Sequence, residues 1–156
     1  MSILDRFKKK APVARSYRKG DAGLDAALVS AVVSDVPIII HDIEDKYGVS
    51  LSKIPECLKE IDTLLVSGKN ITMDEARGLG SLLGELLRER FGGHWEWYVF
   101  DGTEVESLVI RPGKKEELRV FPINKIKRQI DDRDPYGISA FWSFVEQNVD
   151  GALAPR

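Results

Sequence analysis

At 156 residues, with 43% hydrophobic and 31% charged side chains, the chain is long enough for one packed domain and too polar to be a membrane bundle. A net charge of -2 argues against a general nucleic-acid binder, and Cys57, the single cysteine, excludes an intramolecular disulfide. No Cys/His set has zinc spacing, and no apolar run approaches the length of a transmembrane helix.

The charge is unevenly placed. Residues 1–20 hold seven basic groups against one acid, Asp5, so this arm is +6 and the remainder carries -8. Ile3, Leu4 and Phe7 form a small apolar cluster beside Lys8, Lys9 and Lys10. These three lysines are the candidate contacts for an anionic membrane surface. The start has no secretory apolar stretch, and cytoplasmic residence is expected. Three units follow: a basic arm over 1–20, one α+β domain over 21–150, and a frayed tail over 151–156.

In the domain, Asp21 is a plausible N-cap, and Leu24, Leu28, Ala31 and Val32 share one helical face. Pro37 is expected to stop this helix, because proline lacks the N–H and clashes with the preceding turn. A second helix then runs to Tyr47 with Gly48 as its C-terminal glycine. Ile38-Ile39-Ile40 leaves a strand open as the alternative over 37–47. Ile54, Leu58, Ile61 and Leu65 mark a third helix that includes Cys57, expected to be buried, and ends at Gly68. Thr72-Met-Asp-Glu75 is a capping box. It opens a fourth helix with Leu79, Leu82, Leu83, Leu86 and Leu87 on one face and Gly92-Gly93 at its end. Ala76, Gly80 and Gly84 form a small-residue stripe on this helix. The reading is close packing of another backbone, with a ligand lying against the exposed helix backbone as the alternative; it is not a phosphate loop, since the glycines sit mid-helix and offer no free N–H groups.

From His94 the period changes to two. Strands over 94–100, 105–111 and 117–121 are joined by Asp101-Gly102 and Pro112-Gly113, giving an antiparallel meander. Pro122 begins a helix with Ile123, Ile126 and Ile130 inward. Asp134-Pro135 caps a last helix carrying Ile138, Phe141, Trp142, Val145 and Val149. The fold class is therefore α+β: four N-terminal helices, a three-stranded antiparallel meander and two C-terminal helices.

Candidate chemistry is sparse. His41 and His94 are the only histidines, and neither has a nucleophile in a strained elbow near it in sequence. The acidic runs Asp42-Ile-Glu44-Asp45 and Asp131-Asp132-Arg133-Asp134 lack calcium-loop spacing. They read as solvated faces and caps, or as a patch for a basic protein. No catalytic, metal or cofactor residue is assigned. Strand alternation puts Trp95 and Trp97 toward the helices and His94, Glu96, Tyr98 and Phe100 away from them. Glu96, Tyr98 and Phe100 are the candidate protein-binding residues.

The glycine-containing helix, the Phe91-Gly-Gly-His-Trp95 approach to the meander and the Phe121-Pro122 exit resemble a group of uncharacterised bacterial α+β domains over about residues 50–130. The resemblance implies no established activity. By analogy, small domains of this sort act as accessory or immunity proteins. The expected function is a non-enzymatic, protein-binding accessory domain whose partner is another protein, with homodimerisation through a sheet edge as a further expectation. The alternatives are a peripheral membrane accessory protein using the arm, and an enzyme with a non-obvious site.

Overall fold

The computed structural model describes residues 22–51, 56–67, 70–100, 102–110, 118–132 and 136–153. The basic arm with Lys8, Lys9 and Lys10, the Pro112-Gly113 turn and the Asp134-Pro135 cap lie outside them. Among the described residues there are five helices and one sheet: α1 Ala22–Tyr47, α2 Glu56–Val66, α3 Met73–Phe91, β1 His94–Phe100, β2 Thr103–Ile110, β3 Leu118–Val120, α4 Pro122–Asp132 and α5 Ile138–Leu153. The sheet is antiparallel in the order β1-β2-β3, so the α+β meander is as the sequence indicates.

One boundary differs. The two helices expected on either side of Pro37 are a single helix of 26 residues, and 37–47 is helical rather than extended. Pro37 is exposed, while Val32, Ile40 and Ile43 are buried and Val36 and Ile39 pack against the core. That stripe, at spacings of three and four, is unbroken across the proline. An interior proline costs about 3 kcal/mol. Burying each large aliphatic side chain returns roughly 1.5–3 kcal/mol, so the stripe outweighs the defect. The helix ends as expected at Gly48, which has φ 67 and donates its N–H to the Glu44 carbonyl at 2.9 Å.

α3 is the central element. Its capping box is formed in both directions: Glu75 N donates to Thr72 Oγ1 at 3.1 Å, and Thr72 N donates to Glu75 Oε1 at 3.3 Å. Leu79, Leu83 and Leu87 are fully buried. The glycines explain how three neighbours come so close. A Cβ on Gly78 would lie 2.2 Å from Ile39 of α1. On Gly80 it would lie 2.3 Å from the Ile123 Cα of α4, and on Gly84 2.2 Å from the Trp95 ring of β1. The glycines do pack closely, but the backbone approach expected from sequence occurs only at Gly80; Gly84 is instead filled by the Trp95 side chain.

Gly93 turns the chain into β1 with φ 121, and a Cβ there would lie 2.3 Å from the Val109 carbonyl oxygen. Trp95, Leu108 and Val120 are paired across the three strands and join α3 and α4 in the core. On α2, Cys57, Leu58, Ile61 and Leu64 are buried, and burial pushes the Cys57 thiol pKa up. α5 reaches Leu153, past the Val149 end of its apolar stripe and into the stretch expected to fray. It is capped by Asp62 of α2, which accepts from Ile138 N at 2.5 Å and from Ser139 N at 3.0 Å.

Candidate functional site

Trp95, Trp97, His94, Glu96 and Tyr98 of β1 lie where alternation puts them, while the Phe100 side chain lies outside the described residues. Trp95 is buried and Trp97 packs against the core on the helix-facing side. His94, Glu96 and Tyr98 project from the opposite face; Phe100 is in the same strand. Glu96 is only 7% exposed. Its Oε2 accepts from Arg119 Nη2 at 2.9 Å, and its Oε1 is 2.7 Å from His94 Nε2. Arg119 also donates to Ser107 Oγ at 2.6 Å, and Ser107 Oγ donates to the Glu96 carbonyl at 2.8 Å. The Arg119 guanidinium lies over the Tyr98 ring, whose edge meets Phe121 at 5.5 Å.

This cluster ties the three strands together across their outer face. A carboxylate taken from water needs its oxygens satisfied, and here a guanidinium and an imidazole do so. The Ser107 hydroxyl is fully buried between Arg119 and a carbonyl, so it is not placed to attack a substrate. Arg119 and Ser107 were not picked out in the sequence. The usable signal was register, since Glu96 faces Ser107, and Val109 faces both His94 and Arg119.

A second feature lies between α1 and α3. α1 and the start of α3 enclose an open cleft of about 530 Å³ lined by Ile39, Asp42, Ile43, Lys46, Asp74, Glu75 and Arg77. The spacing of Ile39, Asp42, Ile43 and Lys46 brings them to one side of α1. Asp74 and Glu75 arrive from the first turn of α3, where carboxylates favour the helix dipole.

The charges here are partly matched. Lys46 Nζ is 2.9 Å from Glu75 Oε1, and Arg77 pairs with Glu106 of β2. Burial works to raise the Glu75 pKa, but hydrogen bonds from Lys46, Tyr47 and Thr72 together outweigh it and hold the carboxyl below its usual range. The same contact with Glu75 holds the Lys46 ammonium above its usual value. Asp42 and Asp74 make no ion pair with a described residue. Ile38 and Met73, the chain neighbours of Ile39 and Asp74, are 66% and 63% exposed.

The acidic run at 42–45 is thus divided by role. Asp45 pairs with His41 at 3.5 Å in solvent, and Glu44 accepts the N–H of Leu51 at 3.1 Å. Asp42 lines the cleft. The sequence showed Asp42 but not the isoleucine floor or the α3 wall, which only the helix pairing assembles. No cluster of metal-ligating side chains occurs among the described residues, and no described helix is long and apolar enough to cross a membrane.

Comparison with protein-family models, with curated proteins and with solved structures finds no match to this chain.

Proposed function

We propose that the chain is a protein-binding accessory domain that receives a segment of another protein in the cleft between α1 and α3. The supporting observation is the combination found there: half-buried Ile39 on the lining with core residue Ile43 beneath it, two carboxylates without an ion-pair partner among the described residues, and two exposed apolar side chains next in sequence to the lining. Concave, mixed surfaces of this kind suit a peptide or helix that brings both apolar and basic groups. The sheet face with Glu96 and Tyr98 is less suited to the role, because its charges are already spent on one another.

A photo-crosslinking side chain at Met73, introduced in the native cell, tests this reading. A discrete adduct with one protein is expected. It should be absent when the crosslinker is at exposed Thr63 of α2, and it should weaken when Asp42 and Asp74 are changed to lysine. Equal labelling from Met73 and Thr63, or no adduct from Met73, would exclude the cleft as a docking site.

A further inference from the structure

We propose that the segment received by the α1–α3 cleft is an amphipathic α-helix whose apolar stripe carries a cation on each flank. The inference rests on the cleft being a docking site, and it adds the conformation and the charge pattern of the occupant.

Charge complementarity sets the two cations. Lys46 of α1 is matched by Glu75, and Arg77 of α3 by Glu106, so the cations of the lining are neutralised within the chain. Asp42 on α1 and Asp74 on α3 have no ion-pair partner among the described residues. The two carboxylates come from different walls, and an occupant lying between the walls meets one negative charge from each. The apolar contacts come from the same two sides. Ile38 is one helical turn before Asp42, and Met73 one turn before Arg77, so each shares the side of its helix that lines the cleft. Both are exposed, and Ile39 beside them is half-buried.

Backbone accounting selects a helix over an extended peptide. Both walls are helices, whose interior N–H and C=O groups bond within their own turns, so the cleft presents no ladder to a strand. The first turn of α3 is already closed by the Thr72–Glu75 capping box. An extended occupant would turn its own unpaired backbone groups toward apolar side chains, at a cost for each group taken from water. A helix satisfies its backbone internally, presents side chains alone, and packs against other helices at about 8–10 Å between axes.

The test uses the full-length chain and a blocked peptide of about 15 residues, long enough to form a helix, built from leucine, alanine and lysine. Its leucines form one stripe at helical spacing, with lysine on both flanks. Calorimetry at low salt should give saturable one-to-one binding, and NMR shifts should centre on Ile38, Asp42 and Met73. A proline in place of the central alanine, or glutamate in place of the lysines, should weaken binding at least about tenfold. Asp42→Asn with Asp74→Asn should weaken it roughly tenfold. Glu56→Gln with Glu89→Gln, an equal loss of charge at exposed positions outside the cleft lining, should leave it unchanged. Asp42→Lys with Asp74→Lys should restore binding of the glutamate peptide, which separates lost charge from lost fold. Equal affinity for the proline peptide, equal losses from the two neutralised pairs, or shifts centred elsewhere would overturn the proposal. A peptide that does not bind, with an intact Met73 adduct, refutes this inference alone. A bound peptide with no Met73 adduct in the cell refutes the partner reading alone.

Discussion

Gly84 of α3 lies against the indole of Trp95 so closely that a Cβ would come within 2.2 Å of both Cη2 and Cζ2. The ring cannot easily step aside, because Trp95 Nε1 donates to Glu85 Oε1 at 2.9 Å and the residue is 1% exposed. Helix propensity alone favours alanine over glycine by about 1 kcal/mol, whereas overpacking costs roughly 1–3 kcal/mol. Gly84→Ala should therefore be destabilising in urea titration. Gly80→Ala should be worse, since its obstacle is the Ile123 backbone, and Gly78→Ala mildest, since it meets the Ile39 side chain. A stabilised Gly80→Ala variant would contradict this ordering.

Asp62 caps a helix that begins far away in sequence. Its carboxylate accepts from Ile138 N, Ser139 N and Ser139 Oγ at 2.5, 3.0 and 2.8 Å. Asp62→Ala should lower stability by about 1–2 kcal/mol, the range for loss of an N-cap. Hydrogen exchange should accelerate first in the opening turn of α5. If the fastest new exchange is in α2 instead, Asp62 supports its own helix more than α5.

Replacing exposed Pro37 by alanine should stabilise the chain. The substitution restores an interior N–H donor to α1 and removes the ring clash, with up to about 3 kcal/mol to gain. A higher midpoint in thermal unfolding is the expected result. A lower one would mean that the φ fixed by Pro37 is needed to seat α1 on α3.

Glu96→Gln should cost about 3 kcal/mol, because it leaves Arg119, whose side chain is 18% exposed, without its counter-charge. Adding Arg119→Met should recover part of the loss in a double-mutant cycle. Strict additivity of the two changes would show that the pair is not coupled.

The acid limb should depend on Glu75. Its folded pKa is lowered, so its contribution is complete above the unfolded value of about 4.3 and is lost as pH falls through the lower folded value. Glu75→Gln, which retains a side chain suited to the capping box, should be less stable at pH 7 and show a shallower loss of stability below about pH 4. Denaturant titrations at several acidic pH values read this directly. An unchanged slope would assign the acid limb to other carboxylates.

What the sequence determined by itself was carried by local signals. Thr72 and Glu75 are three residues apart, Gly48 follows its helix directly, and Gly102 lies between two strands of period two, so each could be read without knowing the rest of the chain. Alternation likewise put Trp95 and Glu96 on opposite faces of the sheet, although both are buried. Tertiary packing decided the rest. Pro37 reads locally as a helix stop, but burial of Val32, Ile40 and Ile43 carries the helix through it. Asp62 reads as one more surface acid on α2, yet it closes a helix end 76 residues away. Glu96 reads as a free surface charge until β3 brings Arg119 alongside Ser107. The cleft has no sequence signature, because its floor belongs to α1 and its wall to α3. Such features depend on which surfaces meet, and that is set by the summed burial of the whole core rather than by any one stretch of chain.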